Sequence, residues 1–323
     1  MVEIGWTDWK TLGVTVVAFS LLLSGIVLGL GRAFNNRKLE LFGIEELLQS
    51  IINAAILGAV AMLEASISTI GGGFFVEKKC GDGVVAIEWI SCIITNLSDS
   101  VFSFLQEIIT VLTTIGYYEQ LTIDFNVFSI KPLVNLSGIS SMLSTQANLA
   151  QLLLILLNLH LQILNFINSS AFPILFAAGL IFRVFFATRK FGGFLIAFAL
   201  GFFLLYPITI LTFPDPKTNV DDAVLKMANF TNNSAYAPWP IVDLNDNYAI
   251  AAKIDNISGW GVNTSANLGS DLTVITRANA DALSAVLMYS VVAPLFALVV
   301  ALVFIKELAD ILGSEITVPF KVI

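Results

Sequence analysis

Apolar runs of about 20 residues, the length a helix needs to cross a hydrocarbon layer about 30 Å thick, recur along the chain. Thr11–Leu30 is such a run without a charge. Leu41–Phe75, Val84–Tyr117, Leu149–Ile167, Phe172–Ala187, Phe191–Phe213 and Ala282–Phe304 follow, which makes seven candidate spans. The pattern predicts an all-α, polytopic transmembrane helical protein of about seven spans with one large extracytoplasmic loop. Residues 1–213 form a membrane helical body of six candidate spans, 214–281 the loop, and 282–323 the last span and a cytoplasmic end. Met1–Leu30 imitates a signal peptide, but its flank is acidic and aromatic and no small-residue cleavage site follows cleanly, so it reads as a retained span.

Polar stripes run along three of these segments. At 100° per residue, Glu88, Ser91, Cys92, Thr95, Asp99, Ser103, Gln106, Thr110 and Thr113 of the third fall within an arc of about 120°, opposite Ile87, Ile90, Ile94, Phe104 and Ile108. Ionisable groups in hydrocarbon turn toward protein or water, so this strip is expected to border an aqueous or subunit-filled space. On the fourth span Asn148, Gln151, Asn158, Gln162 and Asn165 share an arc of about 100° at heptad-like spacing, which suits interhelical hydrogen bonds or a lumen or subunit seam. His160 lies on the opposite side and reads as a structural hydrogen bond rather than a proton relay. The second span places Glu46, Gln49, Asn53 and Glu64 on one face, with Gly58, Ala61 and Ala65 available for close helix approach. Glu64, deep in an apolar stretch, is protonated, paired with an Arg from elsewhere, or facing water.

Of the 323 residues, 57% are apolar and 12% charged, against about 45–50% and about 25% in soluble domains. A water-soluble globule is excluded. The net charge of −8 argues against a basic nucleic-acid surface and leaves room only for transient DNA contact. One His and two Cys are too few soft ligands for a zinc, haem or iron–sulfur centre, so no cofactor or metal is expected. Nucleophile-elbow, phosphate-loop and His-Glu metalloprotease motifs are absent, and Gly71-Gly72-Gly73 reads as a turn. Glu88 and Asp99, eleven residues apart on one helix, stand about 16 Å apart by rise, too far for a carboxylate pair. The chain is not expected to be an enzyme.

Lys and Arg beside the spans set the orientation. Arg32, Arg37 and Lys38, then Arg183, Arg189 and Lys190, then Lys306 and Lys321 share one side, which is therefore cytoplasmic. The amino terminus and the loop lie outside the cell membrane and the carboxyl terminus inside; Lys10, Lys78 and Lys79 fall outside. The loop Pro214–Asp281 has eight Asp, no Glu and four Lys or Arg, and holds sequons at Asn229, Asn232, Asn256 and Asn263, candidates for glycosylation on an outward face. Asn96, Asn135 and Asn168 head three more sequons in or near the bilayer. A small folded cap is expected here, with a helix over Pro216–Asn229 started by Asn219, and with Trp239 and Trp260 packing against the membrane surface or each other. Asp271 is placed to cap a helix running from Leu272 into the last span and ending at Gly313. Cys80 and Cys92 flank a Gly-rich turn at the outer ends of two spans, a spacing that suits a disulfide; the alternative is that Cys92 is a small buried residue.

One segment carries a resemblance. Phe182–Pro207, with Arg183-Val184-Phe185, Arg189-Lys190-Phe191-Gly192-Gly193 and Tyr206-Pro207, resembles the archaeal multi-spanning (CedA-type) DNA-import proteins related to the polytopic inner-membrane subunit of type IV secretion systems. Phe304–Glu315 is similar to that family's cytoplasmic end. The resemblance implies a non-enzymatic integral membrane component of a DNA-translocating, pilus-associated apparatus, forming an oligomeric platform or conduit. Its partners would be a cytoplasmic translocation ATPase, small membrane subunits or pilins, and further copies of itself in membrane lipid. Arg183, Arg189 and Lys190 then serve as a topology anchor against the anionic leaflet, or as a docking site for the ATPase or for DNA phosphates. A neutral or weakly acidic lining would let a polyanion pass without sticking. Two alternatives stay open: a channel or transporter with Glu64, Glu88 and Asp99 as a cation or proton path, and a glycosylated envelope scaffold.

Overall fold

The computed structural model describes residues 9–74, 86–120, 122–125, 128–131, 133–233, 236 and 268–313. Two long helices come first, α1 (Trp9–Ala33) and α2 (Arg37–Phe74). Helix α3 (Ala86–Gln120) leads to a short antiparallel hairpin, Ile123–Phe125 with Phe128–Ile130, in which Asp124 faces Ser129. Then come α4 (Ser137–Phe166), α5 (Phe172–Val184), α6 (Arg189–Leu200), α7 (Tyr206–Leu211), α8 (Lys217–Thr231), α9 (Leu268–Leu287) and α10 (Ala293–Ile311). The protein is all-α and polytopic in character. Among the described residues six helices are long and apolar enough to cross a membrane, with Phe172–Val184 a shorter apolar helix.

Six rather than seven reach that length because the fifth candidate, Phe172–Ala187, holds a helix of only 13 residues, Phe172–Val184. α4 and α5 are joined by one π-helical segment, Ile167–Ala171. The same device joins α6 to α7 through Gly201–Leu205 and α9 to α10 through Met288–Val292. Each π segment is followed two residues later by a proline: Pro173, Pro207 and Pro294. A proline inside a helix has no N–H for the carbonyl four residues back, and its ring collides with that carbonyl. Here those carbonyls belong to Ser169, Phe203 and Ser290, each inside the π turn. One extra residue in the turn swings the carbonyl aside and lets the helix continue.

The chain folds as two compact units; one boundary falls at the expected division at 213, another at 291 rather than 281, and two more fall at 94 and 158. The first unit is Met1–Ile94, Leu159–Phe213 and Val292–Ile323; the second is Thr95–Asn158 and Pro214–Val291. Residues 95–158, assigned by pattern to the membrane body, therefore belong with the loop sequence.

In the first unit α1 packs on α2, α5 on α6, α1 and α2 on α5, and α6 and α7 on α10. The α1–α2 turn uses Asn35 at φ 48°, and Asn36 Oδ1 accepts the Lys38 N–H at 3.2 Å, a side-chain cap for α2. The α5–α6 reversal needs glycine. A Cβ on Gly192 would stand 2.6 Å from both the Gly179 carbonyl oxygen and the Arg183 nitrogen. The outward surface of this unit is apolar: Phe34 is 74% and Met62 73% exposed, and Leu22, Leu48, Ile163, Phe166, Phe296 and Val303 are exposed with them. Aliphatic and aromatic side chains on this scale fit lipid and not water.

In the second unit α8 packs on α9. Along α3, whose part from Thr95 onward belongs to this unit, the seam of Ile90, Ile94, Leu97, Val101, Phe104, Ile108, Val111 and Ile115 is buried in alternating steps of four and three, with Trp89 and Thr114 buried beside it. That is a heptad seam, the pattern of left-handed helix pairs. Its outward positions are mainly polar: Thr95, Asp99, Ser103, Gln106, Thr110 and Thr113 on α3, Ser141, Ser144, Thr145 and Asn148 on α4, Asp221 and Asp222 on α8, Ser270 and Arg277 on α9. The helix from Leu268 to Ile311 is 44 residues long, about 66 Å by rise, so only about half of it fits a hydrocarbon layer about 30 Å thick.

Replacing Gly192 by Leu is expected to destabilise the detergent-solubilised protein by about 3 kcal/mol through overpacking. Gly116→Ala, whose added Cβ meets nothing within 4 Å, should stabilise it by about 0.5–1 kcal/mol; denaturant unfolding of the two variants reads both signs.

Candidate functional site

The stripe on α3 is present as a surface. Glu88, Thr95, Asp99, Ser103, Gln106, Thr110 and Thr113 are exposed, and Ser91 and Cys92 half-buried. The strip therefore lies outside the fold of one chain, on the side opposite the heptad seam. Its hydroxyls are satisfied by their own helix. Ser91, Ser103, Thr110 and Thr113 each donate to the carbonyl four residues back, at 2.8–3.0 Å, the usual arrangement for such residues within helices. Only Glu88, Asp99 and Gln106 are left to seek water or a partner through their ends.

The amides of α4 are also outward: Asn148, Gln151, Asn158, Gln162 and Asn165 are all exposed. Asn158 Nδ2 donates to Leu154 O at 2.9 Å and to Ser98 Oγ at 3.4 Å. The buried polar contact of α4 is one that the stripe did not single out. Gln146 Nε2 donates to Thr276 O at 2.9 Å, and Asn279 Nδ2, on a fully buried residue, donates to Gln146 Oε1 at 3.2 Å. Its signal in the sequence is an Asn between Ala278 and Ala280, small neighbours that let a second helix approach. His160 does make a structural hydrogen bond, with its Nε2 3.1 Å from the Tyr206 hydroxyl.

The basic segment is largely spent inside the fold. Arg183 is 5% exposed, and its Nη1 donates to the Leu312 carbonyl at 3.2 Å, a cation at the carbonyl end of α10. Arg189 Nη2 lies 2.5 Å from Glu46 Oε1, and Nη1 lies 3.9 Å from Glu45 Oε1, with Arg189 and Glu46 both largely buried. Both guanidiniums are thus engaged within this chain. Lys190 is exposed. The partner of Glu46 on the second candidate span is thus Arg189. Glu64 belongs to α2, but its side chain lies outside the described residues.

In the loop sequence the helix is Lys217–Thr231 rather than one started by Asn219, and Asp215 Oδ1 accepts the Lys217 N–H at 2.9 Å. Asp221 and Asp222 are held by Lys217 and Lys226 respectively. Asn229 and Asn232 are exposed, while Asn256, Asn263, Trp239 and Trp260 lie outside the described residues. A cleft of about 250 Å³ is lined by Lys226, Asn229, Phe230, Asn233, Tyr236 and Asp271. Asp271 does not begin its helix, which starts at Leu268; it accepts the Tyr236 hydroxyl at 2.6 Å. Burial, together with that bond to the Asp271 carboxylate and its charge, pushes the Tyr236 phenol up to about 12. The last helix ends as expected at Gly313, with φ +83°. Cys92 is disulfide-bonded; Cys80, the other cysteine of the chain, lies outside the described residues. Among the described residues no three His, Cys, Asp or Glu come together as a metal site.

Comparison with family models, curated proteins and solved structures finds no match to this chain.

Arg189→Gln is expected to cost about 3 kcal/mol, since it strands the Glu46 carboxylate. Arg189→Gln with Glu46→Gln should recover most of that loss, and Lys190→Gln should change stability by under about 0.5 kcal/mol; a double-mutant cycle by denaturant unfolding checks this. Tyr236 is a group whose proton is held more tightly in the folded state. Its contribution is complete below the unfolded value of about 10 and is lost as pH rises through about 12. Tyr236→Phe should abolish that part of the alkaline loss in a thermal-melt series.

Proposed function

We propose that this protein is a non-enzymatic, multi-pass component of the cell membrane that serves as an oligomeric platform in a DNA-translocating, type IV secretion-like apparatus. The observation that carries the reading is the meeting of the two resembling segments. Phe182–Pro207 and Phe304–Glu315 are 97 positions apart in the chain, yet Ala197 packs with Ile305 and Ala309, flanked by Phe194, Phe198 and Leu312. Arg183 reaches the Leu312 carbonyl, and a Cβ on Gly193 would stand 3.1 Å from the same oxygen. Residues that share a resemblance therefore share one helix interface, as they would if that interface were what the family keeps.

The topology that fits has five spans: α1, α2, the helix from Leu159 to Val184, α6 with α7, and α10. All come from the unit whose outward surface is apolar. The second unit, polar outside and holding sequons at Asn96, Asn135, Asn229, Asn232, Asn256 and Asn263, is extracytoplasmic. In this arrangement the basic residues 32–38 and 183–190 and the carboxyl terminus are cytoplasmic, in keeping with the positive-inside bias. The acids of α3 then face water, and any path for a polyanion is built between copies. The ATPase and small membrane subunits remain the partners implied by the resemblance.

An impermeant maleimide should label Asn232→Cys in intact cells and Lys190→Cys only after permeabilisation; the reverse pattern overturns the topology. Deleting the gene should abolish DNA transfer. Gly193→Leu should fail to restore transfer although the protein inserts, whereas transfer that survives deletion overturns the function. Ion flux in proteoliposomes that disappears with Asp99→Asn would instead favour a channel.

A further inference from the structure

We infer that the carboxamide row on α4 is the seam along which a second copy of this chain pairs, with Gln162 and Asn165 inside the membrane and Asn158 and Gln151 at and beyond its outer boundary. The inference deepens the oligomeric platform proposed above and rests on its membrane placement.

Depth is the first argument. α6 begins at Arg189, and Tyr206 follows seventeen residues on, about 26 Å by helical rise. His160 is hydrogen-bonded to Tyr206 and so lies at that level, near the far boundary of a hydrocarbon layer about 30 Å thick. Gln162 and Asn165 are two and five residues further along α4, on the side toward α5, and therefore deeper. Both are exposed, among the equally exposed Leu159, Ile163 and Phe166. A carboxamide among acyl chains has no partner for two N–H groups and a carbonyl, and such groups turn toward another helix.

Spacing and chemistry identify the helix that covers them. Gln151, Asn158 and Asn165 recur every seven residues, so at 100° per residue they drift only about 20° per step. A shallow left-handed crossing of two like helices absorbs that drift. An amide is donor and acceptor at once, hence complementary to its own copy, and a twofold axis brings each residue to its own counterpart at one level. Asn158 spends its N–H groups on Ser98 and Leu154 but keeps its oxygen as an acceptor. From Ser137 to Phe166 the helix carries no Asp, Glu, Lys or Arg. Two copies of it meet without like-charge repulsion, in a chain of net charge −8.

The test uses the full chain in its own membrane. Asn158→Cys, Asn165→Cys and, as a lipid-facing control on α1, Leu22→Cys are oxidised in separate preparations. A band at twice the chain's mass is expected for Asn158→Cys and Asn165→Cys and not for Leu22→Cys. Gln162→Leu combined with Asn165→Leu should lose the dimer on native gels while insertion and melting of the monomer persist, and Asn165→Gln should retain it. Monomer at every position, equal dimer at Leu22→Cys, or a product only with a protein of another mass overturns the seam. A chain that cross-links as expected although DNA transfer survives its deletion refutes the platform reading and leaves the seam standing. Transfer lost on deletion with a chain monomeric throughout refutes the seam alone.

Discussion

Every long helix here has one side buried in protein and another that must suit its solvent, and the match between outward side chains and solvent governs the remaining structure. The cost of an error is unequal in the two solvents. Exposing a Leu to water forfeits about 1.5–3 kcal/mol of burial, whereas an ionised group or an unpaired amide in hydrocarbon costs more and is avoided or partnered. The first unit answers with Leu, Ile, Val and Phe outside, the second with Asp, Asn, Gln, Ser and Thr. Helices that run through both units change their outward chemistry along their length: on α4 the exposed face passes from Ser141, Thr145 and Asn148 to Leu152, Ile155, Leu159 and Ile163.

Where charged and aromatic polar groups enter the first unit, three of them have a local reason. Arg183 closes the carbonyl end of α10, Arg189 neutralises Glu46, and His160 meets Tyr206. The three prolines are treated the same way, each relieved by a π turn. The π turns keep α4 continuous with α5 and α9 continuous with α10. The outward amides of α4 are left open by the single chain, as are the buried amide oxygens of Gln49 and Asn53 on α2.

The fold was legible in the sequence to the extent that it is local. The apolar runs located α1, α2 and α3 to within a few residues but not the polar starts of α4 and α9, and the end at Gly313 followed from the residue that tolerates a left-handed backbone. The junction between Leu149–Ile167 and Phe172–Ala187 was less legible: the structure keeps it helical through Ile167–Ala171, and a proline two residues beyond signals a break rather than the π turn that relieves it. The stripe on α3 was likewise legible as a pattern, because periodicity is a property of one helix. What surrounds that stripe is not, because Thr and Asp at a given spacing look the same beside water, beside a partner or at a seam.

The sequence by itself determined that the chain is a helical membrane protein, which residues share a helix face, and where the helices stop, since composition, the 3.6-residue repeat and proline or glycine chemistry act over a few residues. Only the tertiary structure decided that 95–158 belongs with 214–291 in one unit, that Arg189 is joined to Glu46 across 143 positions, and that Gln146 holds Asn279 across 133. Such pairings depend on how separate helices are brought together, and the free energy that selects them comes from burying whole faces at once. No local pattern carries that information, so nothing in the spacing of Arg183 and Arg189 announces their contacts with Leu312 and Glu46.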